Sequence, residues 1–169
     1  MSVRVRAAGP ADFEAVGRVS VAAYEADGQL KGEHGYAEML ADVAKRSGAG
    51  EILVAVDEAD RVLGSVLFVL PGTAYAELSG PGEAEFRMLA VDPAGQGRGV
   101  GEALVRACVG RARELGCRAI VICVRSGFAA SAHRLYARIG FVRVPELDWS
   151  PVAGVDLFAL RLDLGDPVQ

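Results

Sequence analysis

Residues Gly95-Gln96-Gly97-Arg98-Gly99-Val100-Gly101 place four glycines at alternate positions and run directly into an amphipathic stretch. A glycine-rich turn at a helix start makes an anion site for two additive reasons. First-turn N–H groups have no partner inside the helix, and the macrodipole puts partial positive charge at that end. Glycines let the main chain approach phosphate oxygens without a side chain between. Spacing discriminates among the cofactors that use such a cradle. A P-loop needs Gly-x4-Gly-Lys-Ser/Thr, and no glycine here starts that run. A dinucleotide fingerprint needs Gly-x-Gly-x-x-Gly, but counting from Gly95, Gly97 or Gly99 the sixth residue is Val100, Glu102 or Leu104. Arg125, not an acid, ends the next apolar segment. The residues therefore point to a pyrophosphate cradle of a different pattern.

The elements that must position this turn follow from periodicity. Val3 and Val5 alternate with Arg4 and Arg6, as in a half-exposed strand. After Gly9-Pro10, helical spacing links Phe13, Val16, Ser20, Ala23 and Tyr24. A second short helix is predicted with Tyr36, Met39, Leu40 and Val43 on one face. Two strands, 52–56 and 62–70, flank the polar turn Asp57-Glu58-Ala59-Asp60. A Gly/Pro-punctuated loop from Pro71 to Gly82 leads to a strand over about 84–91, closed by Asp92-Pro93. Val100, Ala103, Leu104, Ala107, Cys108, Ala112 and Leu115 form one helical stripe, ended by Gly116. Ala119 to Val124 is apolar throughout, as in a strand covered on both faces. Ala132, Leu135, Tyr136 and Ile139 mark another helix, and 141–144 and 155–164 read as closing strands. The order is β-α-α-β-β-β-α-β-α-β-β, one α/β domain over residues 1–169.

Composition narrows the function classes. A chain with 51% apolar and 24% charged residues fits a packed globular domain. A net charge of −4 and a pI near 5.2 oppose a nucleic-acid backbone as main partner. No apolar run approaches the ~20 residues of a membrane span, and the N-terminus lacks a signal-peptide core. Cys108, Cys117 and Cys123 form no CxxC pair, and Cys108 and Cys123 read as small core hydrophobes, so a reducing cytoplasm is expected. No His/Cys cluster offers a metal site.

Gln96-x-x-Gly99-x-Gly101 resembles the acetyl-CoA loop of the GNAT superfamily, the Gcn5-related N-acetyltransferases. Leu89-Ala90-Val91-Asp92-Pro93 is similar to the family's strand ending upstream. Ala132-x-x-Leu135-Tyr136-x-x-x-Gly140-Phe141 resembles its downstream signature. One departure is Ala129, where the family often has an Asn that contacts the cofactor. The resemblance implies the GNAT-like acyl-CoA N-acyltransferase fold, a mixed, mostly antiparallel sheet of about seven strands flanked by about four helices.

It implies further that amides from Gly97 to Gly101 hold the pyrophosphate of acetyl-CoA, with Gln96 and Val100 in the same loop and Arg98 adding a phosphate contact. The main chain of Leu89, Ala90 and Val91 pairs with the pantetheine arm, and the Leu89 N–H polarises the acetyl carbonyl. Tyr136 faces the sulfur as general acid. Glu85 resembles the glutamate some members use as general base, and simple alternation puts it on the same strand face as Leu89. Tyr24, Glu33, His34, Tyr36 and Trp149 belong to segments that wall the acceptor site. Glu33, Glu83, Glu85, Glu146 and Asp148 would favour a cationic amine. The expected reaction is direct acetyl transfer to an amine, without metal. A CoA-binding sensor of the same fold is the rival expectation, and a homodimer through sheet edges is a further one.

Overall fold

The computed structural model describes residues 2–31 and 35–165. Strand β1 (Arg4–Ala7) is followed by Pro10, which starts a single 3-10 turn leading into α1 (Phe13–Ala26). The second helix expected from periodicity is two: α2 (Tyr36–Ala41) and α3 (Val43–Ser47). Asp42 divides them, leaving helical backbone at ψ 71° while its carboxylate accepts from the Lys45 N–H at 3.3 Å. A short acceptor at that place ends one helix and caps the next.

Then come β2 (Glu51–Val56), β3 (Val62–Val69), β4 (Glu83–Val91), α4 (Val100–Glu114), β5 (Ala119–Arg125), α5 (Ala130–Ile139), β6 (Val142–Arg143), β7 (Trp149–Val152) and β8 (Val155–Asp163). The described residues thus hold eight strands and five helices. The added strand, β7, arises in the Pro145–Pro151 connection, which folds back onto β8.

The sheet runs β1-β2-β3-β4-β5-β8-β6, with β7 also on β8, and every neighbouring pair is antiparallel except β4 with β5. Helices cover both faces, which is why β3 is buried at all eight positions. On one face Leu104, Val105 and Cys108 of α4 and Leu135 of α5 pack on Phe86, Ile122 and Phe141. On the other, Val16, Val19, Leu40 and Val43 from α1–α3 pack on Val54, Leu67 and Val69. This is the mixed, mostly antiparallel α/β fold that the sequence implied. No helix among the described residues is long and apolar enough to cross a membrane.

The α1–α3 layer is tied by a buried cation. Arg46, 1% exposed, donates to the Met39 and Leu40 carbonyls at 3.2 and 2.5 Å and to Ser20 Oγ at 3.1 Å. It thereby satisfies carbonyls that the end of α2 leaves without helical partners. Arg46→Met keeps the apolar stem and strands three buried acceptors. It is expected to lower the unfolding free energy by about 3 kcal/mol. In urea titration the midpoint should fall with the slope unchanged; a midpoint equal to the parent's would contradict this role.

Candidate active site

Strands β4 and β5 share only two ladder pairs, Glu83↔Ala119 and Ala84↔Ile120, and then diverge. β4 continues alone along that edge to Val91. Its other edge pairs with β3, but irregularly: Leu67 faces Arg87 and Ser65 faces Ala90, so Met88 and Leu89 together oppose Val66. Met88 takes φ +57°, which a side-chain-bearing residue rarely adopts. This is a β-bulge, and one extra residue inverts the inward–outward alternation beyond it. Phe86, Leu89 and Val91 therefore lie with the α4/α5 core, whereas Met88 and Ala90 lie with the α1–α3 core.

Consecutive residues at the bulge border two cavities. One, of about 420 Å³, lies on the α4 side and is lined by Leu89, Val91, Gly95–Gly97, Gly99–Glu102 and the start of α5 from Ala129 to Ala132. Gly97 (φ +82°) and Gly99 (φ +75°) hold the left-handed turn before α4, and a Cβ at either would project into open space beside the cradle. The N-terminus of α4 opens here, with Arg134 and Arg138 of α5 also lining the cavity and Arg138 donating to Glu102 of α4 at 3.2 Å. These residues fit the diphosphate of a coenzyme: main-chain donors at a helix start backed by guanidinium groups.

The second cavity, of about 340 Å³, is lined by Met88, Tyr24, Leu30, Tyr36, Met39, Glu77, Arg87, Cys123, Arg125, Val152, Val155 and Leu157, among others. Tyr24 and Gln29 line both, so the cavities meet at the end of α1. Tyr24 and Tyr36 pack with ring centroids 5.5 Å apart and share a hydroxyl hydrogen bond. Arg87 Nε lies 2.9 Å from Glu77 Oε1, and its Nη1 donates to the Tyr75 carbonyl at 3.0 Å. The Cys123 thiol donates to the same Glu77 oxygen at 3.5 Å. Burial pushes the Glu77 carboxyl above its usual range, with Arg87 opposing. Burial, with Glu77 beside it, pushes the Cys123 thiol up to about 12, so it holds its proton at neutral pH.

The residues singled out in the sequence fall in different places. Leu89, Val91, Gln96, Gly97, Gly99, Val100 and Gly101 line the first cavity. The Ala90 side chain is buried on the opposite face. Arg98 lines a third cavity with Asp12, Asp60 and Asp92, which adjoins the first at Gly95. Tyr136 is 4% exposed, packed between Phe86 and Phe141 at centroid distances of 5.8 and 5.6 Å. It lines neither cavity, and burial, with Cys108 and Cys123 nearby, drives its ionisation well above the usual phenol value. Tyr24 and Tyr36 wall the second cavity, and Trp149 hydrogen-bonds the Cys123 sulfur. Glu33 and His34 lie outside the described residues.

Glu85 departs from expectation. It is fully buried, and its carboxylate accepts from the N–H groups of Glu77, Leu78 and Ser79 at 3.0–3.1 Å and from Ser79 Oγ at 2.9 Å. The bulge puts it on the face opposite Leu89, and its oxygens are occupied by a nest of loop amides. It anchors the loop before β4 and is not placed to take a substrate proton. The other acids expected to draw a cation are also engaged elsewhere. Glu83 pairs with Arg161, Asp148 with Arg143, and Glu146 is exposed outside both cavities.

The comparisons with known proteins agree with this geometry. Residues 18–141 match the Acetyltransferase (GNAT) family. The chain belongs to that family. Over 105 residues it is 35% identical to the N-alpha-acetyltransferase RimI of Mycobacterium tuberculosis, a match covering 62% of this chain and 64% of RimI. Its fold resembles the ribosomal-protein-S18-alanine N-acetyltransferase of Escherichia coli (TM-score 0.72, 16% identity, 99% of this chain and 97% of that one). It also resembles the PaiA N-acetyltransferase of Thermoplasma acidophilum in complex with coenzyme A (TM-score 0.72, 15% identity, 96% and 99%).

Within this GNAT domain, sequence reading overlooked Glu77, Arg87, Arg125, Arg134 and Arg138. Arg134 and Arg138 carry a signal, a four-residue spacing that puts both on one helix face. Glu77 carries none, because it sits in an irregular loop and reaches the cavity only through the Glu85 anchor. Glu85→Ala leaves three loop amides without their acceptor and is expected to lower stability by about 2–4 kcal/mol. Thermal melts should show that loss, whereas an unchanged Tm would refute the anchoring role.

Proposed function

We propose that residues 1–169 act as one domain that transfers the acetyl group of acetyl-CoA directly to a primary amine. The observation that carries this reading is the meeting, at Tyr24 and Gln29, of a glycine-lined anion cradle and a second cavity on opposite sides of the Met88 bulge. A donor held in the first and an acceptor held in the second would bring their reacting atoms together there, which is the main requirement for a two-substrate transfer.

Each residue then has a task. Amides from Gly97 to Gly101 hold the diphosphate, and Arg134 and Arg138 supply positive charge beside it. The main chain of Leu89 at the bulge polarises the acetyl carbonyl. Glu77 takes the proton from the attacking ammonium, since its second oxygen, Oε2, has no protein partner among the described residues while Oε1 is held by Arg87 and Cys123. Tyr136 returns a proton to the departing thiolate. Burial keeps it protonated throughout the working pH range. Unpaired thiols at Cys108, Cys117 and Cys123 fit a cytoplasmic setting. A homodimer paired through a sheet edge belongs to the same proposal, and sedimentation would then give twice 17.7 kDa.

Calorimetry and steady-state assays test the reading together. Tyr136→Phe should leave acetyl-CoA affinity within about threefold while lowering kcat about 10²-fold. Binding without turnover in the parent enzyme would instead mark a sensor. Glu77 must be ionised to act, and its pKa lies above 4.5, so kcat should fall as pH drops through that raised value. Glu77→Gln should remove this acidic limb and lower kcat about 10²-fold. Retention of the limb in Glu77→Gln would assign the base elsewhere.

A further inference from the structure

The second cavity is walled, among the described residues, by three cations and a single carboxylate: Lys31, Arg87 and Arg125 against Glu77. Arg87 is neutralised by Glu77. Arg125 donates Nη1 to the Gln29 carbonyl at 2.9 Å and stacks 4.2 Å from the Phe128 ring centroid, contacts that orient the guanidinium without cancelling its charge. Neither Arg125 nor Lys31 takes part in the ion pairs formed among the described residues. The remaining wall is apolar, with Leu30, Met39 and Leu157. A dication such as a polyamine would meet uncompensated like charge in such a cavity.

The geometry points to an acceptor amine that itself carries a carboxylate and an apolar side chain, that is, a free amino acid. This rests on the acetyltransferase reading above and adds the substrate class. Cys123 and Arg125 are alternate residues of β5, so they project to one face about 6.6 Å apart. Glu77 sits against Cys123. The ammonium and carboxylate of an α-amino acid leave the same carbon, so they address two neighbouring groups on one wall of a cavity. Glu77 then receives the ammonium while Arg125, with Lys31, receives the carboxylate. Arg125 is tethered to Gln29, a residue common to both cavities, so a carboxylate bound to it, with the amine one carbon away, lies near the place where the cavities join.

The test compares the intact enzyme on apolar amino acids, their carboxamides, dipeptides with the same N-terminal residue, and a polyamine, following free CoA. The expected result is a kcat/KM at least tenfold higher for the free amino acid than for its carboxamide or dipeptide. Lys31→Gln, at an exposed position that should not disturb folding, is expected to shrink that preference severalfold, and Arg125→Gln to abolish it. Equal rates on acid and carboxamide, a preference for dipeptide or polyamine, or no turnover of any of the four would overturn the assignment. Calorimetry of acetyl-CoA on the same sample separates the two levels: binding without amino-acid turnover sinks only the substrate class, and no binding sinks the acetyltransferase reading with it.

Discussion

The early parting of β4 from β5 is the constraint on which the rest of this molecule depends. Two parallel strands joined by only two residue pairs leave the main-chain groups that face each other beyond those pairs without ladder partners, and buried main-chain polar groups are rarely left without partners. The bulge at Met88 deals with part of this by re-aiming the strand, at the expense of a left-handed residue. Backbone strain of this kind, of order 1–3 kcal/mol, persists only where its surroundings over-determine it. Here β3 on one side and helices on both faces do so. The opening that results is lined by main chain, which suits an amide-bearing ligand extended along it, as the proposed pantetheine arm would be.

The loop before β4 is bound to the same constraint. A carboxylate buried without partners would neutralise itself or unfold the site, and Glu85 is stabilised because three amides and a hydroxyl converge on it. Glu77 donates one of those amides. The buried anion therefore fixes the main chain from which a second, cavity-facing carboxylate projects, and Arg87, two residues after Glu85, meets that carboxylate from the strand. One strand thus supplies both the anchor and the counter-charge, so the position of Glu77 follows from the strand and not from the loop alone.

Much of the fold was legible because it rests on patterns longer than a turn: the stripe of α4, the continuous apolar run of β5 and the order of elements. What was not legible came from single residues. One extra residue at Met88 inverts parity, so alternation counted from Leu89 places Glu85 on the wrong face. Asp42 divides one predicted helix because a carboxylate competes for main-chain donors there. β7 is two-residue-paired and exposed, leaving little hydrophobic periodicity to read. At the site, the cradle was readable because main-chain geometry demands glycine, while the second cavity was not, because it is assembled from α1, α2, loops, β4, β5, β7 and β8 with no spacing that relates them. Ala129 illustrates the limit. As an isolated alanine it signals nothing, yet it holds φ +53° at the start of α5, with its N–H bonded to Asp27 at 2.7 Å.

Net charge misleads for a related reason. The chain is acidic overall, yet the charged residues lining its two joined cavities are five cations (Lys31, Arg87, Arg125, Arg134 and Arg138) against three carboxylates (Asp27, Glu77 and Glu102) among the described residues. Several acids are paired where they stand: Asp12 and Asp60 by Arg6, Glu83 and Asp163 by Arg161, Asp148 by Arg143, Glu102 by Arg106 and Arg138. Paired charges contribute little field beyond their own dipole, and those at the surface are screened within about 10 Å by ordinary salt. Inside a cleft with low-dielectric walls the unpaired cations dominate the local potential. A protein with a pI near 5.2 can therefore present an attractive site to a polyanionic coenzyme, and, beside it, to a carboxylate. What such a cleft attracts is decided by where its charges stand, which sequence composition averages away.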